Sequence, residues 1–203
     1  MKLVIVDYGM GNISSIVSAF RFIGIHDISV SNDIDVLRSA DKLILPGVGN
    51  YSTAIKKIRE LNIINILHEL VYVEKKPILG ICLGMQILGK SSTEGGFNHG
   101  FGLVDGVVEK FSLENLKVPH VGFNQITLTS ISRLYTGLSE NPDFYFTHSY
   151  KMSSNSDIGQ QMCDYGEDFV ASFEIDNIAG VQFHPELSQN NGLMLLKNFI
   201  ELF

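Results

Sequence analysis

Short apolar runs alternate with helical patterns through the first half of the chain, and this alternation limits the possible folds. The runs have the length and composition of buried strands and span residues 3–6, 28–30, 43–45 and 78–81. Between them, apolar residues recur at helical spacing over 12–22 and in two pieces across 51–73, with a joint at Leu61 and Asn62. Strands separated by helices indicate βαβ units, and therefore a parallel sheet with helices on both faces.

The second half of the sequence changes character. It contains a series of strand-like segments, at residues 103–111, 121–129, 143–150, 169–175 and 178–183. A helical pattern returns only over 191–203. We expect the added strands to form antiparallel hairpins at the edge or end of the parallel sheet. Because no linker or repeat interrupts the pattern, the sequence predicts one α/β domain over residues 1–203.

Charge and hydropathy exclude some classes of function. The formal net charge is −7, from 15 basic and 22 acidic residues, which argues against nucleic-acid binding because phosphate contacts need clustered Lys and Arg. No run of 18 apolar residues predicts a membrane span, and the four apolar residues before Asp7 are too few for a signal peptide. We therefore expect a cytoplasmic protein, in which a disulfide between Cys82 and Cys163 is not expected.

The segment around Cys82 has the form G-x-C-x-G between a strand-like run and a helical pattern. This context predicts a nucleophile elbow, in which Gly80 and Gly84 allow the strand and helix to meet closely. The start of the helix would place free N–H groups near the sulfur and favour the thiolate. A buried, inert cysteine is the alternative, and the motif alone leaves both open. Cys163 has no such context and is predicted to be inert.

A general base for Cys82 is the next requirement. His184 and Glu186 follow an apolar run, and in extended backbone residues two apart project from the same face. A carboxylate beside an imidazole can fix its tautomer and stabilise the imidazolium, as the third member of a triad does. An isolated H-x-E could equally be a surface pair at the end of a strand.

Two blocks together carry a family resemblance. The segments GICLGMQ (80–86) and VQFHPE (181–186) are similar to the catalytic blocks of the class I, triad-type glutamine amidotransferases. The resemblance implies that Cys82 is the nucleophile, His184 the base and Glu186 its orienting carboxylate. It also implies L-glutamine as substrate and calls for no metal and no organic cofactor.

Four further segments extend the resemblance over nearly the full chain: DYGMGN (7–12), PGVG (46–49), KVPHVGFNQI (117–126) and YFTHSY (145–150). They resemble the glutaminase subunits of imidazole glycerol phosphate synthase, which form a heterodimer with a cyclase subunit in histidine biosynthesis. The resemblance implies an oxyanion hole at the backbone of Val48, Gly49 and Leu83. The residues that it implies for holding glutamine are Gln86, Glu94, Ser149 and Tyr150.

The same resemblance implies low activity without the partner, because the PGVG segment must rearrange to complete the oxyanion hole. His120 and His148 are expected to be structural. On the side that faces the partner, the family residues Asn12, Asn124 and Tyr145 are retained. Leu187 and Phe123, however, stand where the family usually has Lys and Trp. Leu187 cannot make an ionic contact, and Phe123 has no indole N–H to donate.

Because of these two departures, a different enzyme could receive the ammonia, namely a synthase that builds amidino groups on surface sugars. Two other classes also stay open from the sequence. One is a catalytically silent binding module on the same fold, which the retained triad argues against. The other is a cysteine hydrolase acting on different acyl substrates, which the glutamine-holding residues argue against.

Overall fold

The computed structural model describes residues 1–113 and 116–203. Its strands, in chain order, are β1 (Leu3–Val6), β2 (Ile28–Ser31), β3 (Lys42–Leu45), β4 (Ile78–Ile81), β5 (Ser91–Ser92), β6 (Asn98–His99), β7 (Val107–Lys110), β8 (His120–Gln125), β9 (Asp143–His148), β10 (Tyr150–Ser153), β11 (Gln161–Asp164), β12 (Asp168–Ile175) and β13 (Ile178–Val181). Its α-helices are α1 (Ile13–Phe22), α2 (Ile34–Arg38), α3 (Tyr51–Glu60), α4 (Ile64–His68), α5 (Leu83–Leu88) and α6 (Gln189–Leu202). A π-helical turn, Glu69–Val73, continues α4, and 3₁₀ turns lie at Arg133–Tyr135 and Pro185–Leu187.

A seven-stranded sheet forms the centre of the fold, in the order β11-β12-β13-β4-β3-β1-β2. The strands from β13 to β2 pair in parallel, while β12 and β11 are antiparallel at one edge. Every residue of β1, β3, β4 and β13 is buried, as expected for parallel strands covered on both faces. The predicted α/β fold with a mostly parallel central sheet is confirmed.

Two apolar cores lie on the two faces of this sheet. Alternate side chains of β1 divide between them, with Val4 and Val6 in one core and Leu3 and Ile5 in the other. Helices α3, α4 and α5 contribute to the first core, and α1 and α6 contribute to the second. Helices α1, α3 and α6 each bury one apolar face, as their spacing predicted, whereas α5 is buried on all sides.

The second half differs from the sequence expectation. Only β11 and β12 add antiparallel strands to the central sheet. Strands β8 and β9 form a separate two-stranded sheet, and β10, β7, β5 and β6 form a four-stranded one. The expectation that all these hairpins extend the parallel sheet is therefore wrong. Along β8, more buried residues alternate with exposed ones, which is typical of a strand with only one face covered. Such a strand does not need a place in the central sheet, whose strands are covered on both faces.

Three neighbouring parallel strands end at the same edge of the central sheet. Past β3 the chain continues to Gly47, past β4 to Cys82, and past β13 to His184. Ligands of open α/β sheets bind outside the carboxyl ends of such strands. Within the described ranges, no helix is both long and apolar enough to cross a membrane.

Candidate active site

Cys82 occupies a sharp turn between β4 and α5. Its backbone has φ of 53° and ψ of −109°, a strained conformation for a residue with a side chain. Both neighbouring glycines are needed for the close approach of strand and helix. A Cβ on Gly84 would overlap the carbonyl of Leu45, and one on Gly80 would lie 2.7 Å from the Cα of Met85. The turn is the nucleophile elbow that the glycine spacing predicted.

His184 and Glu186 meet beside this turn. His184 Nδ1 lies 2.9 Å from Glu186 Oε1, and both side chains are buried. The carboxylate can only accept, so Nδ1 carries a proton and Nε2 is left to act as the base. The contact was predicted correctly, but the predicted backbone conformation is wrong. Glu186 lies in a 3₁₀ turn and not in extended backbone. Pro185 begins that turn, which brings the carboxylate back under the imidazole.

The electrostatics of His184 suit a thiolate–imidazolium pair. Burial on its own lowers the pKa of the imidazole, but its interactions with Cys82 and Glu186 outweigh burial and raise that pKa to about 10. Two buried atoms, His184 Nε2 and Glu186 Oε2, have no hydrogen-bond partner in the part of the chain that the structure describes. Nε2 is therefore the ring nitrogen that is left to exchange a proton with the thiol of Cys82.

A cavity of about 410 Å³ opens over Cys82 and His184. Its wall includes every residue that was predicted to form the oxyanion hole or to hold glutamine: Val48, Gly49, Leu83, Gln86, Glu94, Ser149 and Tyr150. Pro119, Thr147 and His148 complete the lining. A thiol, an imidazole and polar groups thus converge on one concave site, which makes the cavity the candidate active site.

The PGVG segment covers one side of the cavity. The N–H of Leu83 donates to the carbonyl of Gly47 at 3.3 Å. Gly49 has φ of +101°, which favours glycine, and Val48 is 38% exposed. The N–H expected to stabilise an oxyanion is therefore occupied by a backbone carbonyl.

Two of the residues predicted to hold glutamine, Gln86 and Glu94, make hydrogen bonds within the chain. Gln86 Nε2 donates to the carbonyl of Tyr150 at 3.0 Å and to Gln182 Oε1 at 2.9 Å. Both N–H groups of its amide are thus used, and only Gln86 Oε1 is left to meet a ligand. Glu94 Oε2 accepts from the N–H of Tyr51 at 2.9 Å, and partial burial raises the pKa of Glu94 above its usual value.

The residues predicted to face a partner lie outside this cavity. Phe123 and Tyr145 are directly paired across β8 and β9, with ring centroids 5.6 Å apart. Asn124 Nδ2 donates to the carbonyl of Asp164, so its amide is partly engaged within the chain. Leu187 is 42% exposed beside Glu186, and Asn12 Nδ2 is 3.5 Å from Glu186 Oε1.

Other titratable and nucleophilic groups have separate environments. Burial raises the pKa of Cys163 to about 12, which leaves it a poor nucleophile. His120 Nδ1 and His148 Nε2 are 3.1 Å apart, and burial lowers both pKa values, to about 4 and about 3. No group of three or more His, Cys, Asp or Glu that could hold a metal occurs among the described residues.

Two contacts in the site were not predicted from the sequence. Gln182 Nε2 donates to Cys82 Sγ at 3.6 Å, and the Tyr8 hydroxyl donates to the carbonyl of Pro46 at 2.6 Å. Gln182 precedes His184 by two positions in the VQFHPE block, so the motif contained it. Nothing in the sequence signals that its amide points at the sulfur.

Known proteins share this architecture and sequence. The chain is 45% identical over 201 residues to "Imidazole glycerol phosphate synthase subunit HisH 1" of Campylobacter jejuni (strain RM1221), covering 98% of this chain and 100% of that protein. It is 43% identical to the subunit HisH of Aquifex aeolicus (strain VF5), covering 98% and 96%. A crystal structure described as a glutamine amidotransferase superposes with a TM-score of 0.76 at 19% identity, covering 98% and 97%, which supports the fold.

A family model gives the same result over nearly the whole length. Residues 4–202 match the model described as "Glutamine amidotransferase class-I". The chain therefore belongs to the class I glutamine amidotransferase family.

Proposed function

We propose that this chain is the glutaminase subunit of an imidazole glycerol phosphate synthase. In this role it hydrolyses L-glutamine and passes the ammonia to a cyclase subunit, in a heterodimer that serves histidine biosynthesis. The observation that carries the proposal is that Cys82 and His184 line one cavity, with Glu186 bonded to His184 Nδ1 behind it. The two relatives named above, 45% and 43% identical over nearly the full chain, support this cyclase subunit as the acceptor of the ammonia and do not favour the synthase of surface sugars.

The proposed reaction begins at the elbow. His184, oriented by Glu186, takes the proton of Cys82, and the sulfur attacks the δ-carbon of glutamine. The tetrahedral intermediate places a negative charge on the former amide oxygen. His184 then returns a proton to the leaving nitrogen, which departs as ammonia. Water attacks the resulting thioester and releases glutamate.

The oxyanion needs donors that the resting backbone does not offer. Leu83 N–H is engaged by the Gly47 carbonyl, so the PGVG segment must turn before this donor is free. After that turn, the backbone at Val48 and Gly49 would supply the second donor. Losing one such donor costs about 2.7–4 kcal/mol of barrier stabilisation. We propose that contact with the cyclase subunit supplies the energy for this change.

The proposed partner surface combines Phe123, Asn124 and Tyr145 on the β8–β9 hairpin with Leu187 and Asn12 nearby. Phe123 is 47% exposed and Leu187 is 42% exposed, although both are large and apolar. Exposed apolar side chains next to an active site are typical of a protein interface. Apolar contact by Leu187 would replace the ionic contact that the family Lys makes.

Reconstitution tests the proposal. The chain is mixed with a cyclase subunit and its phosphoribosyl substrate, and glutamate release is measured with and without that subunit. We expect the cyclase subunit with its substrate to stimulate glutamine hydrolysis strongly. An absence of stimulation, with a partner shown to be folded and active on free ammonia, would remove the histidine-pathway assignment.

A further inference from the structure

A line of buried polar side chains leads from the β8–β9 hairpin to the nucleophile. Its members are His120, His148, Gln86 and Gln182, each at most 7% exposed, and it ends at Cys82 Sγ. Burying this many hydrogen-bonding side chains is costly unless each finds a partner. The triad alone does not account for the burial of these four side chains, so we asked what their hydrogen bonds do.

The carbonyl of Tyr150 fixes the direction of every hydrogen bond in the line. His148 Nδ1 lies 2.8 Å from this oxygen, which can only accept, so His148 is protonated at Nδ1. Its Nε2 must then accept from Nδ1–H of His120. Burial lowers both pKa values and so keeps both imidazoles neutral near pH 7, and His148 must be neutral to accept at Nε2.

The same carbonyl orients the two glutamines. Gln86 Nε2 faces two acceptors, the Tyr150 carbonyl and Gln182 Oε1. Turning the Gln182 amide over would set two NH₂ groups against each other and would point its oxygen at the sulfur. The network thus admits one orientation, in which Gln182 presents Nε2–H to Cys82 Sγ at 3.6 Å.

We propose that Gln182 is a further catalytic residue, whose amide N–H stabilises the thiolate of Cys82, with Gln86 as the positioning residue that holds this amide in place. The inference rests on the proposed glutaminase function and adds a group to its nucleophile. A hydrogen bond to a charged acceptor is stronger than one to a neutral acceptor, so the contact favours thiolate over thiol.

The contact adds a donor to the sulfur beside the interaction that His184 makes with it. Gln182 Nε2 lies 3.6 Å from Cys82 Sγ, and the interaction of His184 with Cys82 is one of those that raise the pKa of His184. Gln182 directly follows β13, next to the Val181 carbonyl that accepts from the N–H of Cys82 at 2.7 Å. Backbone and side chain of one segment thus hold the nucleophile together.

The test is the pH profile of Cys82 alkylation by iodoacetamide in the free chain. Peptide mass spectrometry separates Cys82 from Cys163. Gln182→Met keeps most of the volume and removes the donor. We expect the alkylation profile of Cys82 to move to higher pH, so that the rate at a fixed pH on its rising limb falls about tenfold. Gln182→Glu places a carboxylate beside the sulfur and should move the profile at least as far.

A matched control comes from Gln161, which is also fully buried and hydrogen-bonded, to Thr129 and Ser130. Gln161→Met should lower stability without moving the alkylation profile. A folded Gln182→Met chain with the wild-type profile overturns the proposal, and so does an equal displacement in Gln161→Met. If Gln182→Met does not fold, Gln86→Met provides the test, because it frees the Gln182 amide to turn. A wild-type profile for a folded Gln86→Met chain then contradicts the proposal.

This experiment is independent of the proposed function. Alkylation of Cys82 requires neither glutamine nor a partner subunit. A failed reconstitution with the cyclase would leave the pH profile unaffected, and an unmoved pH profile would leave the glutaminase assignment unaffected.

Discussion

The carbonyl of Gly47 accepts a hydrogen bond from the N–H of Leu83 at 3.3 Å, directly after the nucleophile. This N–H is the donor that an oxyanion on the substrate would require. Gly47 is closely packed in this position, since a Cβ there would lie 2.7 Å from Leu83 Cβ and 2.6 Å from the Tyr8 hydroxyl. Under the proposed function, the nucleophile and base are thus assembled while the N–H proposed as oxyanion donor is engaged by Gly47.

The isolated chain should accordingly hydrolyse glutamine slowly. One missing oxyanion donor lowers kcat by roughly 10²–10³, so stimulation by the partner should reach at least this range. The measurement is steady-state glutamate release by the chain alone and with saturating cyclase subunit and ligand. High activity of the chain alone, equal to that of the complex, would contradict a blocked oxyanion hole.

Glu186→Gln should inactivate the enzyme with little effect on the fold. The amide can present its NH₂ to His184 Nδ1 and so favour the wrong tautomer, in which the proton is on Nε2. In a comparable triad this change lowers kcat by about 10⁴. The measurement is kcat in the stimulated complex, with circular dichroism to verify folding. Glu201→Gln, at an exposed position on α6, is the matched control and should retain full activity. Near-normal kcat in Glu186→Gln would show that Glu186 does not orient the base.

Glu94→Gln should weaken substrate binding more than it slows the chemistry. The half-buried carboxylate lines the cavity and can pair with the α-ammonium group of glutamine. Removing one partner of a partly desolvated ion pair costs about 1.5–3 kcal/mol, so KM should rise on the order of 10- to 100-fold. The measurement is the separate effect on KM and kcat. Glu109→Gln, on an exposed part of β7, should change neither value.

Stability should fall on the acid side because of the two buried histidines. Their pKa values in the folded chain, about 4 for His120 and about 3 for His148, lie below the ordinary value of about 6.5. The stability that they contribute is therefore present above about pH 6.5 and is lost as the pH falls towards 4. The raised pKa of His184 acts in the opposite sense, because its contribution is complete below about 6.5 and is lost at alkaline pH.

Denaturant unfolding between pH 8 and pH 4.5 measures this loss. His120→Gln can still donate to His148 but does not titrate, so it should reduce the dependence of unfolding free energy on pH. His26→Gln, at an exposed position, should leave the dependence unchanged. An unaltered pH dependence in His120→Gln would mean that the histidine pair does not cause the acid lability.

The elements that local sequence determines were predicted well. The strands of the parallel sheet and the elbow at Cys82 depend on apolar runs and on glycine spacing, both of which are visible within a few residues. The pairing of β8 with β9 and of β10 with β7 depends on contacts between distant segments, so the strands were recognised but their sheets were not. The short helix α2, capped by Asp33, is only five residues long and left no periodic pattern.

The candidate site shows the same division. The family resemblance pointed to residues that line the cavity, most of them within the short matching blocks and Glu94 outside them. The orientation of the Gly47 carbonyl and of the Gln182 amide depends on tertiary packing and on a hydrogen-bond network. No spacing in the sequence encodes either of them, so both emerged only from the structure.

The most direct test of the central claim is covalent trapping of Cys82 by a glutamine-analogue electrophile in the stimulated complex, followed by peptide mass spectrometry. We expect a single adduct on Cys82 that excess glutamine prevents, no adduct on Cys163, and no adduct in Cys82→Ala. Absence of labelling at Cys82 in the stimulated complex, or labelling that glutamine does not protect against, would contradict the assignment of Cys82 as the nucleophile of a glutaminase.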